Sequence, residues 1–130
     1  MEIKYLLDTN TVIYYLQEQM SVKALSLIDN LLNKAHINIS VITEIELLCW
    51  RTEKPEELKI ICDFINNSNV FNIDKNIVAQ TVNIRKSYKT KLPDAIIAAT
   101  AITHNLSLIT NNTKDFGNIN YLTVINPFIL

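Results

Sequence analysis

The sequence has no apolar run long enough to span a membrane, no repeat, no low-complexity segment and no interdomain linker. Its 130 residues therefore fit one domain, 1–130, with no membrane association and a length able to bury a core without staples. Cysteine occurs twice, as Cys49 and Cys62, neither at metal-ligand spacing. That argues against a disulfide framework, although the two could pair, and, with no Cys/His cluster, against a zinc site; it predicts reduced core thiols in a cytoplasmic protein. A net charge of -1 excludes coating of nucleic acid by bulk charge and leaves room for a local basic patch. The sole glycine, Gly117, is expected at a turn with an unusual backbone angle.

What is present is apolar and ordered: 48% hydrophobic residues against 19% charged. Short apolar runs alternate with helical periodicity. Strands are expected at 3–7, 37–39, 70–73, 106–109 and 122–125. Helices are expected at 11–17, 21–34, 41–51, 54–66 and 75–88, and from the segment Leu92-Pro93-Asp94 onward. Alternation of this kind argues for a parallel sheet with helices on both faces. The helix after Pro93 is apolar all round (Ala95, Ile96, Ile97, Ala98, Ala99, Ala101, Ile102), as a buried helix must be. Leu92 is its possible cap, Pro93 suits its first position, and Asn105 is a plausible left-handed terminator.

Four acids share one topological address. Asp8 ends the first strand, Glu44 is in the first turn of the helix after the second strand, and Asp115 follows the fourth strand. Asp94 opens the buried helix, with Ala98 one turn on leaving space around it. Ligands of open parallel sheets bind outside the carboxyl ends of the strands. Carboxylates gathered there repel one another, and a hard divalent cation, Mg²⁺ or Mn²⁺, resolves that conflict. Each acid taken singly also fits a cap, a solvated flank or a loop. Arg85, Lys86, Lys89 and Lys91 precede Asp94 and read either as complements to a helix C-terminus or as a landing strip for a nucleic-acid backbone. Tyr88 is expected in the core, with base stacking as its other use. His36 and His104 are expected to be structural, Trp50 core or partner-facing, and Glu46 solvated.

Leu7-Asp8-Thr9-Asn10, Thr43-Glu44-Ile45-Glu46-Leu47, Pro93-Asp94-Ala95-Ile96-Ile97-Ala98-Ala99-Thr100-Ala101 and Thr110-Asn111-Asn112-Thr113-Lys114-Asp115-Phe116 together resemble the PIN-domain family, and more narrowly the VapC toxins of bacterial toxin–antitoxin pairs. The resemblance covers essentially the whole chain. It implies a three-layer α/β/α fold with a central parallel sheet of four to five short strands, and a Mg²⁺- or Mn²⁺-dependent endoribonuclease. Asp8 and Asp94 would hold the metal most directly, Glu44 and Asp115 would complete the acidic quartet, and Asn112 and Thr110 would support it. The implied partners are an RNA substrate, a VapB-type antitoxin and a second copy in a homodimer. A reading from another class is a catalytically silent PIN-like binding module, with the helical hairpin 11–34 supplying an apolar groove for a peptide.

Overall fold

The computed structural model describes residues 4–34 and 37–129. Five strands form one parallel sheet: β1 (Tyr5–Leu7), β2 (Ile37–Ser40), β3 (Asn69–Phe71), β4 (Ser107–Ile109) and β5 (Val124–Ile125), in the order β3-β2-β1-β4-β5. Seven helices are seen among the described residues: α1 (Thr9–Leu16), α2 (Val22–Asn33), α3 (Val41–Leu48), α4 (Pro55–Asn66), α5 (Lys75–Ser87), α6 (Leu92–Thr103) and α7 (Thr113–Phe116). The α/β/α arrangement and parallel sheet expected from the alternation are present. The register sets Leu6 beside Leu108 and Leu7 beside Ile109.

Successive strand residues feed opposite layers, as the two-residue period requires. Leu6, Leu108 and Val124 join the layer built on α5 and α6. Leu7, Ile109 and Ile125 join the layer built on α1, α2, α3 and α4. Both faces are thus covered, which is why the strands read as apolar runs. α6 is the most buried helix: every residue from Ala95 to Ala101 is buried.

The sheet order reverses between β1 and β4, so the crevice at their carboxyl ends is where an open α/β sheet takes its ligand. Local chemistry sharpens that edge. Asp8, Ser21, Ser40 and Asp74 each cap the helix that follows with a side-chain oxygen. α4 starts on Pro55 with Glu56 and Glu57 in its first turn.

Several expectations change. α1 begins directly after Asp8 rather than at residue 11, because the Asp8 cap satisfies its first turn. Lys91, not Leu92, caps α6, without a side-chain bond. Asn105 does end that helix at φ 55°. Gly117 has an ordinary right-handed backbone, φ -66°; a Cβ there would lie 2.5 Å from the Thr113 carbonyl oxygen, so close approach explains the glycine. Cys49 is exposed and Cys62 partly so, both free, because each falls off its helix's inner stripe. Trp50 packs against the core, and His104 lies against Phe71 with ring centroids 4.3 Å apart. His36 lies outside the described residues. No helix among the described residues is long and apolar enough to cross a membrane.

Candidate active site

Asp8 sits at the crevice and is only 4% exposed. Its Oδ1 accepts the Thr11 backbone N–H at 2.8 Å, which caps α1. Its Oδ2 accepts the Thr110 hydroxyl at 2.6 Å. One carboxylate thus caps α1 and also bonds to the end of β4, so the capping reading does not exclude the site reading. Burial pushes its pKa above the ordinary 3.8; the Thr11 and Thr110 hydrogen bonds pull it back in part, and the Glu46 charge adds to the rise. No basic side chain is among the groups acting on it.

Asp94 stands in the first turn of α6, half-buried. Burial again raises its pKa most, followed by the charges of Asp115, Asp8 and Glu46; Lys91 opposes them. This electrostatic coupling joins the mouth of α6 to the carboxyl edge of the sheet.

Asp115 lies in α7, a single helical turn that no sequence period announced. Asn112 caps that turn: its Oδ1 accepts the Asp115 N–H at 3.3 Å, and its Nδ2 donates to Asp115 Oδ2 at 2.9 Å. The Asn112 N–H donates to Thr110 Oγ1 at 3.0 Å. Asp8, Thr110, Asn112 and Asp115 thus form one continuous hydrogen-bonded run.

The fourth acid differs from the expectation. Glu46, not Glu44, is the α3 acid whose charge reaches Asp8 and Asp94. Thr9 Oγ1 donates to Glu46 Oε1 at 2.6 Å and lies 3.1 Å from Thr43 Oγ1. Two residues apart on a helix is about 200° of rotation, so Glu44 turns away when Glu46 faces α1. The missed signal was Thr43, which is buried and one turn before Glu46.

The basic stretch divides as well. Lys91 acts on Asp94. Arg85 instead donates to the Thr90 carbonyl and fixes the loop between α5 and α6. Lys86 and Lys89 are exposed. Tyr88 packs against the α6 layer, and its hydroxyl accepts the Asn120 N–H at 3.1 Å.

The donors facing the crevice are oxygens only, carboxylate and hydroxyl, which suits a hard cation. Among the described residues no three of His, Cys, Asp and Glu are drawn together tightly enough to hold a metal ion by themselves. Oxygen donors of this kind suit a cation that retains several waters, the habit of Mg²⁺.

A family model for the PIN domain matches residues 5–120. The chain belongs to the PIN-domain family. Among solved structures, a toxin–antitoxin complex from Klebsiella pneumoniae is similar at 34% identity and TM-score 0.76, covering 96% of this chain and 98% of that one. A DNA-bound VapBC from Salmonella typhimurium is similar at 28% identity and TM-score 0.82, covering 97% and 99%. VapBC2 from Rickettsia felis, bound to a fragment of its promoter, shares the fold at 23% identity and TM-score 0.81, over 95% and 98%. These neighbours agree with the VapC resemblance read from the motifs. No curated protein sequence matches the chain significantly. Within this PIN domain the matched segment spans all four coupled acids and both side chains that tie Asp8 to Asp115.

Proposed function

We propose that this PIN-domain chain is the toxin of a VapBC-type pair and hydrolyses RNA phosphodiester bonds with the help of Mg²⁺ or Mn²⁺. One observation carries the reading: Asp8, Thr110, Asn112 and Asp115 form one hydrogen-bonded run at the sheet edge, and the charges of Asp115, Asp8 and Glu46 add to the burial that raises the pKa of Asp94. A fold loses stability by such an arrangement unless a cation joins it.

Asp8 and Asp94 would hold the cation, with Glu46 and Asp115 at its margin. When bound, the cation supplies charge neutralisation at the phosphodiester and acidifies a water. The chain's own residues do the rest. Thr110 orients Asp8, and Asn112 orients Asp115. Glu46 or Asp115 would accept the one proton that the attacking water gives up, and Lys91 balances negative charge beside Asp94. The burial of Asp8 keeps water from weakening its own bonds to Thr11 and Thr110.

The titles of the neighbours describe toxin–antitoxin complexes. By extension the partner here is a VapB-type antitoxin. A groove of about 410 Å³ beside Leu16, Trp50 and Ile60 offers it an apolar seat of the kind the 11–34 hairpin suggested. A homodimer, as is usual in the family, belongs to the same proposal.

The silent-module reading rests on the same groove beside Leu16, Trp50 and Ile60, which would hold a peptide whether or not the acids bind a metal. One experiment decides between them. The purified chain is incubated with a panel of RNAs in Mg²⁺, in Mn²⁺ and in EDTA. Cleavage in either metal that EDTA abolishes supports the nuclease. The same RNAs left intact under every condition would establish the silent module.

A further inference from the structure

A second cavity, of about 460 Å³, lies between α5 and the segment after α7. Its walls are Tyr88 and Tyr121, and its polar groups are the amides of Gln80, Asn83 and Asn120 with the Ser87 hydroxyl. No charged residue lines it. The grooves beside α1 and α4 differ: Glu57 lines one, Asp63 another, and Glu18 and Asp29 a third. Those acids would repel a phosphate backbone, whereas the α5 cavity sets no charge of that sign against one.

Tyr121 is the unusual member. It is 93% exposed, and its backbone sits in the left-handed region at φ 68°. Glycine or asparagine would adopt that conformation more readily, and the exposed ring gains nothing from the core. Stability does not account for a tyrosine here. Tyr88, across the cavity, is held by the Asn120 N–H. Tyr88 and Asn120 stand six and five residues from Asp94 and Asp115 in the chain. That is at most about 20 Å of extended chain, a span of a few nucleotides.

From this juxtaposition we infer that the cavity between α5 and Tyr121 takes one unpaired base of the RNA substrate. The base would stack on the Tyr121 ring, and its edge would meet the amides of Asn83, Gln80 and Asn120. A nucleobase is the ligand that needs a flat π surface together with both donors and acceptors and no formal charge. This subsite would make cleavage depend on the nucleotide at a fixed distance from the scissile bond. The inference rests on the RNA-cleaving reading and deepens it.

The test compares wild type with Tyr121→Gly, Tyr121→Phe and Asn83→Ala on single-stranded RNAs in which each base in turn is made abasic. Tyr121→Gly relieves the backbone and should fold at least as well, which thermal unfolding checks. Expected is a KM about 10-fold higher for Tyr121→Gly with kcat unchanged, and near wild-type behaviour for Tyr121→Phe. One abasic position should cost wild type a similar factor and cost Tyr121→Gly nothing further. Equal KM values and equal abasic profiles for wild type and Tyr121→Gly would overturn the subsite while leaving the nuclease reading intact. A dimer that becomes monomeric on Tyr121→Gly would overturn it in favour of an interface between copies. If wild type cleaves no RNA, anisotropy of labelled RNA in EDTA replaces the kinetic readout. Weaker binding by Tyr121→Gly would then support the subsite without catalysis, and binding that is equal in both proteins or absent from wild type would overturn it.

Discussion

Thr110 donates its hydroxyl proton to Asp8 at 2.6 Å across 102 residues of sequence, at the point where the sheet order reverses. The bond joins β4 to the cap of α1 and sets the orientation of the most buried acid of the site. Removing it tests how far the site depends on preorganisation. Thr110→Val leaves Asp8 Oδ2 and the Asn112 N–H without their partner. A stability loss of about 1–3 kcal/mol is expected in denaturant unfolding, since buried groups are left unpaired. RNA cleavage should fall as well, whereas Thr110→Ser, which keeps the hydroxyl, should stay near wild type in both measurements.

Asp8→Asn separates stability from function. The ionised carboxylate is disfavoured by burial, so the neutral amide should leave the metal-free melting temperature unchanged or raise it. Cleavage should drop by at least about 100-fold, or about 2.7 kcal/mol of barrier. Mg²⁺ should raise the melting temperature of wild type but not of this variant, because only wild type gains a ligand. Thermal unfolding with and without Mg²⁺ reads both effects; a variant that melts well below wild type without metal would show that Asp8 is chiefly a structural cap.

Glu46 and Glu44 form a matched pair. Glu46→Gln removes a charge that acts on both Asp8 and Asp94, and should lower the cleavage rate about 10-fold or more. Glu44→Gln should leave it within about two-fold, as expected for a side chain turned from the cluster. Equal losses in steady-state kinetics would return Glu44 to the site.

The pH dependence follows from the direction of the shifts. Asp8 and Asp94 are both raised above 3.8, so the folded chain holds their protons to a higher pH than the unfolded chain does. Their contribution to stability is full below 3.8 and is lost as pH rises through the raised values. Cleavage runs the other way, because a protonated carboxylate cannot hold a cation. Its acid limb should fall above the ordinary carboxylate range and move to lower pH as Mg²⁺ is raised, since cation and proton compete. A limb that ignores Mg²⁺ concentration would separate the titrating group from the metal.

Much of this was legible in the sequence. Alternating periods gave the parallel sheet, and Ala95 to Ala101, with almost no polar residue among them, gave the buried helix beneath the site. Asp8, Asp94 and Asp115 could be placed because strand ends and helix starts carry recognisable chemistry. Thr110 and Asn112 came from the family motif rather than from periodicity, since their bonds cross long sequence separations or lie within one turn of helix. The choice between Glu44 and Glu46 depended on the rotation of α3, and that is fixed by where α1 packs, through Thr9 and Thr43. The exposure of Cys49 was hidden by apolar neighbours such as Leu48, itself 48% exposed. The capture of Arg85 by a loop carbonyl left no trace in composition.

The central claim is that acids brought together at one sheet edge hold a divalent cation. Anomalous scattering from a crystal grown with Mn²⁺ tests it most directly. A peak within coordination distance of both Asp8 and Asp94, with Glu46 and Asp115 at its margin, is the expected result. A crystal in which Mn²⁺ is bound elsewhere, or nowhere, while Asp8 and Asp94 remain ordered and ionised would contradict the account.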